Sequence, residues 1–237
     1  MLEQKKCWAF IPARGGSKSI KLKNLVKLNG KPLIDFGIQA SYTSKLFDRV
    51  IVSTDHNLIA ERSLYLGAEV DIRPNLFCGD DIAVIEVVRE FASRQESLPD
   101  MIFLIQPTSP FILSKHIIEL YKVMSQNELC ASGQTVTRIP HNYHAWNQRF
   151  VENNCSNFFF KKDREKAFNK QRKPTLYSFG NLTAIKSEFL QSTLGFFAEP
   201  SAALEIDWPY NIDVDGEDDV KLAASILNSN LIDKELL

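Results

Sequence analysis

Short unbroken apolar runs alternate with amphipathic segments along the first part of the chain. The runs are rich in β-branched residues and lack polar alternation, which is typical of strands in a parallel sheet covered on both faces. The predicted strands are Cys7–Ile11, Arg49–Thr54, Ala68–Arg73, Met101–Ile105 and Cys130–Val136. The predicted helices are Pro32–Ser44, Asn57–Leu66, Ile82–Arg94 and Lys115–Met124, with Gly67 closing the second and Ser114 capping the fourth. This alternation predicts an α/β fold with a mostly parallel, Rossmann-like sheet centred on Met101–Ile105.

Polar loops follow the predicted strands, and ligands of such sheets bind beyond the carboxyl ends of the strands. We therefore expect these loops to lie on one rim. They are Arg14–Asn24, Ser53–Asp55, Arg73–Asp81 and Gln106–Pro110.

The pattern changes between Arg138 and Thr175, where aliphatic residues are few and aromatic residues stand among polar ones. Lys161–Lys173 alone holds seven basic and two acidic residues. A mobile lid, a solvated excursion or a surface for single-stranded nucleic acid would each fit this composition. We favour an arm in a homodimer, because that many phenylalanines need a surface that buries them. The aromatic residues are Trp146, Phe150, Phe158, Phe159, Phe160 and Phe168.

Regular structure is expected again beyond the arm. The pattern predicts a strand at Asn181–Ile185, a short helix at Ser187–Leu194 and a final helix at Gly216–Leu227. Acidic residues at the start of the last helix suit its N-terminus.

Length and composition indicate one domain over residues 1–237, with an inserted arm at about 138–176. A net charge of −1 gives no general reason to bind nucleic acid. No stretch approaches the roughly 20 apolar residues of a membrane span, and Leu2–Lys6 leads into a run too short for a secretory signal. The four scattered cysteines indicate reduced thiols, and His141 with His144 makes no convincing zinc pattern. We expect a cytoplasmic protein without a membrane partner.

The loop after the first strand carries the strongest chemical signal. Gly15 and Gly16 allow backbone N–H groups to approach an anion closely. Four cations stand within ten positions of each other, and they are Arg14, Lys18, Lys21 and Lys23. A strand that runs into such a loop indicates a polyphosphate site, and the alternative is a glycine turn beside a solvated basic face.

Asp213 and Asp215 form a candidate metal site, since side chains two apart in an extended segment point to the same side. Mg²⁺ takes oxygen ligands, typically one or two carboxylates plus substrate phosphates. Aspartates before a helix are also common as caps. The phosphate loop in the same chain favours the metal, while Asp207 either supports the pair or lies on the surface.

Several segments, in this order, resemble the acylneuraminate cytidylyltransferases, or CMP-sialic acid synthetases. The resemblance covers nearly the whole chain, and its first segment and Gln106–Pro110 are together quite specific. The matching segments are Ile11–Lys18, Lys23-Asn24, Arg73-Pro74, Gln106–Pro110 and Ile212–Asp215. The resemblance implies a nucleotidyltransferase fold, a homodimer, Mg²⁺ and CTP as donor. It also implies transfer of CMP to the anomeric hydroxyl of a nine-carbon 2-keto sugar acid, with release of pyrophosphate.

The resemblance further implies roles for single residues. The implied catalytic residues are Arg14, Lys23, Gln106 and Asp213. The implied nucleotide contacts are Ala13, Gly15, Lys18, Asn24, Arg73, Asp81 and Pro107. The implied metal ligands are Asp213 and Asp215. The implied contacts to the sugar acid are Gln106, Tyr177, Asn181 and, from an arm that crosses into the other subunit's site, Arg172 together with Lys173.

Three departures leave the sugar open. Phe111-Ile112 stands where the family usually has Leu-Arg, Gly180-Asn181 replaces Asn-Gly, and Gly79-Asp80-Asp81 replaces small hydroxyl residues. N-acetylneuraminic, legionaminic-type and pseudaminic-type acids therefore all remain candidates. Alternatives are another sugar acid, including an eight-carbon one, and a catalytically inactive nucleotide-binding homologue. We expect in-line attack on the α-phosphorus of CTP, and no side chain stands out as the general base.

Overall fold

A computed structural model of the protein describes residues 5–167 and 169–233. The strands, numbered in chain order, are β1 Cys7–Pro12, β2 Lys27–Leu28, β3 Lys31–Pro32, β4 Arg49–Thr54, β5 Glu69–Ile72, β6 Met101–Ile105, β7 Ser132–Arg138, β8 Arg149–Glu152, β9 Cys155–Phe158, β10 Tyr177–Lys186 and β11 Ser201–Glu205. The α-helices are α1 Leu33–Ser44, α2 Asn57–Tyr65, α3 Val84–Ser93, α4 Ser114–Gln126, α5 Lys161–Lys166 and α6 Glu217–Leu227.

Seven strands form the central sheet, in the order β11–β7–β10–β6–β1–β4–β5. β6, β1, β4 and β5 pair in parallel, as do β7 and β11. β10 alone is antiparallel to both of its neighbours, β6 and β7. The mostly parallel sheet and the central position of Met101–Ile105 are confirmed. Because β10 is reversed, its first residues lie at the edge where the parallel strands end.

Both faces of the sheet are buried, and the first strand shows why. Successive side chains of a strand point to opposite faces. Ala9 and Ile11 pack in one cluster with apolar residues of α1, α2 and α4. Trp8 and Phe10 pack in a second cluster with residues of α3. A run without polar alternation is what a strand between two such layers requires.

A third cluster lies under the carboxyl edge of the sheet. Phe111 and Val214 are fully buried there with Leu33 of α1 and Ile226 of α6. Ile112 is buried in the cluster of α1 and α4. The departure at Phe111-Ile112 therefore falls in the core, where Phe111 packs in one cluster with Val214 of the segment before α6.

The structure corrects two local predictions. Ser187–Leu194 is not a helix: it makes a single 3-10 turn at Ser187–Phe189. Arg89 of α3 donates hydrogen bonds to the carbonyls of Leu190 and Thr193, so these carbonyls face a side chain and not a helical amide. Ser114 is the first residue of α4 and not its cap, which is Leu113.

The sequence pattern gave no indication of β11 or of the hairpin made by β8 and β9. The hairpin turns at Asn153 and Asn154, whose φ angles of 50° and 61° suit a tight two-residue turn. The ring of Phe158 lies against the guanidinium groups of Arg149 and Arg164, at 4.3 and 4.2 Å. The hairpin and α5 belong to the segment between β7 and β10, which leaves the central sheet and returns to it. Phe168 lies outside the described residues.

Within the residues that the structure describes, no helix is both long and apolar enough to cross a membrane.

Candidate active site

Two adjoining cavities open at the carboxyl edge of the sheet and share Pro12, Arg14 and Val84 in their walls. The larger, of about 270 Å³, lies between the loop after β1 and the loop after β6. Its remaining lining residues are Gly16, Ser17, Lys23, Asn24, Leu104, Gln106, Pro107 and Thr108. The smaller, of about 190 Å³, is completed by Arg73, Gly79, Asp80, Ile82 and Val87. Three of the four loops expected on one rim thus line these cavities, and the fourth contacts the first loop.

The glycine loop is fixed by backbone contacts to that fourth loop. The Ala13 N–H donates to the Ser53 carbonyl at 2.9 Å, and the Gly15 N–H donates to Asp55 Oδ1 at 2.6 Å. A Cβ on Gly15 would lie 2.7 Å from His56 Cβ, whereas one on Gly16 would meet nothing within 4 Å. Gly15 is therefore required for close approach to protein, and its N–H is engaged by a carboxylate.

The buried Asn24 closes the far end of the loop. Its Nδ2 donates to the Arg14 carbonyl at 2.9 Å. The amide thus holds Arg14 at the mouth of the larger cavity. Asn24 also lines that cavity, and its side-chain amide contacts the loop itself.

The cations of the loop are divided between two aspartates. Arg14 and Lys18 both form salt bridges to Asp80, the latter at 2.7 Å. Hydrogen bonds from Lys18 and Arg14 lower the pKa of the Asp80 carboxyl below its ordinary value. Lys23 Nζ instead lies 3.0 Å from Asp215 Oδ1, a residue 192 positions later. Lys21 is exposed.

The pair of aspartates before α6 is held beside the loop after β6. Val214 is fully buried between them, and its N–H donates to the Thr108 carbonyl at 2.8 Å. The Ser109 hydroxyl donates to Asp213 Oδ1 at 3.1 Å. Asp219 Oδ2 accepts from the N–H groups of Asp215 and Gly216, which fixes the start of α6. The hydrophobic anchor at Val214 thus directs both carboxylates away from the core.

This donor set fits a hard cation. Asp213 and Asp215 offer only oxygen ligands, as Mg²⁺ prefers. Among the described residues there is no group of three or more His, Cys, Asp and Glu side chains that could hold a metal ion. Two carboxylates leave several positions to water and substrate phosphate, which is the usual arrangement for Mg²⁺ and not for a fully enclosed structural metal.

Gln106 and Asn181 come together because β10 is reversed: Leu182 pairs with Ile105, the residue before Gln106. Asn181 has a φ of 71° at an irregularity of β10, and its Nδ2 donates to the Asn211 carbonyl at 2.6 Å. A Cβ at position 180 would lie 2.8 Å from Thr135 Oγ1. The order Gly180-Asn181 therefore matches this backbone, since glycine is needed at the first position and asparagine tolerates the second.

Arg73 occupies the wall of the smaller cavity and is almost fully buried. Its Nη2 donates to the Ser53 carbonyl at 2.9 Å and its Nε to the Ser53 hydroxyl at 3.3 Å. Burial lowers the pKa of its guanidinium, which nearby acidic groups partly offset.

The predicted residues that line neither cavity fall into two groups. The first group makes the contacts with neighbouring loops described above, and it consists of Ala13, Gly15, Lys18, Asn181, Asp213 and Asp215. The second group consists of Asp81, Arg172, Lys173 and Tyr177. Asp81 is exposed beside Asp80. Arg172 lies exposed in the arm, and Tyr177 is exposed where the arm rejoins the sheet. A hydrogen bond to Glu205 raises the pKa of the Tyr177 hydroxyl.

Sequence reasoning missed two of the carboxylates that contact the loop Arg14–Asn24, called the anion loop below. They are Asp55 and Asp80. Both stand in the rim loops that the strand pattern had identified, so their location was available. Their contacts with the anion loop could not be predicted, because a pattern along the chain does not show which loop residues meet across the rim.

The fold and the rim together define an α/β protein of the nucleotidyltransferase type, with a cationic glycine loop facing paired aspartates. The chain belongs to the cytidylyltransferase family, whose family model matches residues 8–227.

Curated relatives carry more specific names. The chain is 31% identical over 218 residues to the N-acylneuraminate cytidylyltransferase of Escherichia coli, covering 92% of this chain and 51% of that protein. It is 39% identical over 148 residues to N-acylneuraminate cytidylyltransferase A of Danio rerio, covering 62% and 34%. It is 35% identical over 131 residues to the CMP-N,N'-diacetyllegionaminic acid synthase of Legionella pneumophila, covering 52% and 56%. The chain thus spans between about a third and somewhat more than half of these relatives' lengths.

Among solved structures, the fold is similar to a CMP:2-keto-3-deoxy-manno-octonic acid synthetase complexed with CTP. The TM-score is 0.72 at 17% identity, over 94% of this chain and 98% of that one. At this identity the likeness concerns the fold alone.

Proposed function

We propose that this chain is a cytidylyltransferase that transfers CMP from CTP to the anomeric hydroxyl of a nonulosonic, sialic-type acid and releases pyrophosphate. One observation carries the proposal. A glycine loop with Arg14, Lys18 and Lys23 faces the Asp213–Asp215 pair, and Lys23 Nζ contacts Asp215 Oδ1 at 3.0 Å. This arrangement offers cations to a polyphosphate and oxygen ligands to a divalent ion at one edge of the sheet.

The anion loop is suited to bind the leaving group, pyrophosphate. Arg14, Lys18 and Lys23 would offset the charge that develops on pyrophosphate as the bond to the α-phosphorus breaks. The contacts of Gly15 and Asn24 hold the loop in place before substrate arrives, so little reorganisation is needed.

Asp213 and Asp215 would hold Mg²⁺, which when bound supplies positive charge to phosphate oxygens. The Ser109 hydroxyl orients Asp213 through its hydrogen bond to Oδ1. Gln106, at the end of β6, would contact both substrates where the nucleotide meets the sugar acid. In-line attack at the α-phosphorus then needs mainly positioning and charge stabilisation from the protein.

The smaller cavity is the proposed nucleoside side of the cleft. Arg73 lines its wall, and Arg14 joins it to the larger cavity. The proposed sugar side begins at Asn181, whose backbone lies next to that of Gln106 through the β6–β10 pairing.

The arm supports a homodimer. Val151 and Phe159 are 73% and 67% exposed, and Phe150 and Phe160 are partly exposed near them. A cluster of exposed aromatic side chains favours a protein surface that covers it. We propose that the partner subunit covers this face, and that Arg172 and Lys173 reach the substrate carboxylate of the partner's site.

The sugar acid is proposed as a class, since similar relatives are named for neuraminic and for legionaminic acids. Purified protein with CTP, Mg²⁺ and a panel of N-acetylneuraminic, legionaminic, pseudaminic and eight-carbon acids should release pyrophosphate with at least one nine-carbon acid. Release of pyrophosphate with the eight-carbon acid alone would show that the substrate is another sugar acid and not a nonulosonic acid. CTP binding without release in any mixture would identify an inactive nucleotide-binding homologue.

A further inference from the structure

The Asp80 carboxylate pairs with two cations of the anion loop. One carboxylate oxygen pairs with Arg14 Nη1 and the other with Lys18 Nζ, the latter at 2.7 Å. Both oxygens of the group are therefore used on the cations that the proposed function assigns to phosphate. Asp80 stands in the smaller cavity's wall, and Arg14 belongs to both cavities.

The bridge is easily displaced. The side chains of Asp80 and Lys18 are 37% and 82% exposed, so water screens the attraction. Asp80 also lies in an irregular loop between Phe77 and the start of α3. Among the residues that the structure describes, the Asp80 side chain forms no ion pair other than those with Arg14 and Lys18. A ligand with several negative charges can therefore replace it without breaking the core.

The charges make competition unavoidable. Arg14 and Lys18 supply two positive charges and Asp80 one negative charge, so the group has a net charge of +1 (2 − 1) while the bridge is closed. A polyphosphate that contacted both cations with Asp80 still in place would face a like charge within a few ångströms. Displacement of the carboxylate removes this repulsion and frees both donors.

We propose that Asp80 is an intrinsic competitor for the anion loop: its carboxylate occupies Arg14 and Lys18 in the free protein, yields them to a polyphosphate, and takes them back as pyrophosphate leaves. The proposal rests on the proposed function only in assigning pyrophosphate as the leaving group. Asp80 thus acts through two other side chains and is a positioning residue. Its role is to keep pyrophosphate affinity low enough for release.

The test measures binding of inorganic pyrophosphate to the full chain by titration calorimetry, without CTP, sugar acid or divalent metal. Asp80→Asn keeps the shape of the side chain and removes its charge. Because exposed ion pairs are weak, we expect the variant to bind pyrophosphate only roughly fivefold more tightly. Asp80→Glu restores the charge and should bind like the unsubstituted protein.

Asp218→Asn is the matched control for net charge, since Asp218 forms an exposed pair with Lys221 Nζ at 2.9 Å on α6. It should leave pyrophosphate affinity within about twofold of the original value, because Asp218 pairs with Lys221 and not with the cations of the anion loop, and salt screens charges that are not in contact. A residue that merely supported the fold would weaken binding on substitution, so the gain in affinity is the discriminating result.

Unchanged or weaker binding by Asp80→Asn, an equal gain in Asp218→Asn, or no pyrophosphate binding by any form would overturn the proposal. Thermal unfolding of each variant checks that it is folded. This test measures no turnover, so it is independent of the test of the proposed function. If the chain released no pyrophosphate with any sugar acid but Asp80→Asn still bound pyrophosphate more tightly, the proposed function would be wrong and the proposal for Asp80 would stand.

Discussion

The sheet rim and the arm hold their functional side chains in different ways. At the rim, the backbone of the first loop is tied to Ser53 and Asp55, and the Asp213–Asp215 segment is tied by Val214 to Thr108. In the arm, the contacts are between side chains: the Phe158 ring lies against the guanidinium groups of Arg149 and Arg164, and Asn147 Oδ1 accepts from Lys173 Nζ at 2.6 Å. Much of the remaining aromatic surface is exposed.

This difference in support indicates which functional groups each region can hold in place within a single chain. Backbone hydrogen bonds to a buried core fix a group within tenths of an ångström before substrate arrives, as phosphoryl chemistry requires. Side-chain contacts on a small hairpin do not give that support, since an isolated two-stranded hairpin is marginally stable. We therefore expect the rim to be complete within one chain and the arm to act on a second one.

The largest expected effect is at the rim. Asp213→Ala and Lys23→Ala should each lower turnover with CTP and the preferred acid by roughly 100-fold or more. The first removes a proposed ligand of Mg²⁺, and the second removes a cation proposed to offset the charge of the phosphates. Steady-state pyrophosphate release measures this, and circular dichroism checks the fold. Asp207→Ala, at an exposed aspartate in the same region, is the control and should stay within a few-fold. Near-normal rates in the first two variants would remove their proposed roles.

The arm can be tested by complementation. Arg172→Ala alone should lower turnover by roughly tenfold or more, as expected for loss of a charge-assisted hydrogen bond. Mixing it with Asp213→Ala should restore activity to about a quarter of the original level, because mixed symmetric dimers contain one site with both native residues. If the mixture stays as inactive as its parts, the arm does not serve a partner's site.

Gly15 and Gly16 differ in the space around them, so substituting each one tests how the anion loop is anchored. Gly15→Ala should lower the free energy of unfolding by about 1–3 kcal/mol, because its Cβ would overlap His56 Cβ at 2.7 Å. Gly16→Ala, with nothing within 4 Å, should change it by less than about 0.5 kcal/mol. Urea denaturation compares them. Equal effects would show that the loop is not anchored on His56.

A smaller effect should appear in the pH dependence of stability. His116 of α4 is buried under the rim, accepts from the Leu113 N–H at 3.2 Å, and packs on Tyr210. Burial, with a smaller contribution from Lys115, lowers the pKa of His116 from 6.5 to about 4. A lowered pKa means that the unfolded chain takes up a proton first as pH falls. The stability that the neutral, buried His116 contributes is therefore fully present above pH 6.5 and is lost as the pH falls towards 4.

Between pH 7 and pH 5 the free energy of unfolding should therefore fall by about 2 kcal/mol through His116. In His116→Asn, whose Oδ1 can accept the Leu113 N–H, that part of the decrease should disappear. An unchanged pH profile in the variant would mean that another group is responsible.

The same contrast explains what the sequence could predict. Strands such as β1, β4 and β6 lie in the sheet interior, and their continuous apolar runs identified them with nearly correct bounds. β11 was missed because Ser201–Glu205 is a short edge strand without that signal. The helix expected at Ser187–Leu194 is absent, and the Leu190 and Thr193 carbonyls accept hydrogen bonds from Arg89, a contact with a distant part of the chain that the local pattern does not show.

For the candidate site, the loops were predictable and their pairings were not. Glycines and cations at Arg14–Lys23 indicated an anion site, and the Asp-Val-Asp spacing indicated a metal site. The contacts of Asp80 with Arg14 and Lys18, and of Lys23 with Asp215, depend on how loops far apart in sequence meet. The roles of the predicted residues in catalysis remain predictions that the variants above test.

The most direct measurement of the central claim is ³¹P nuclear magnetic resonance of the protein incubated with CTP, Mg²⁺ and the acid panel. The account predicts that the α-phosphorus of CTP moves into a phosphodiester with one sugar acid, and that an equal amount of inorganic pyrophosphate accumulates. Orthophosphate with CDP, or CTP left unchanged with every acid, would contradict it.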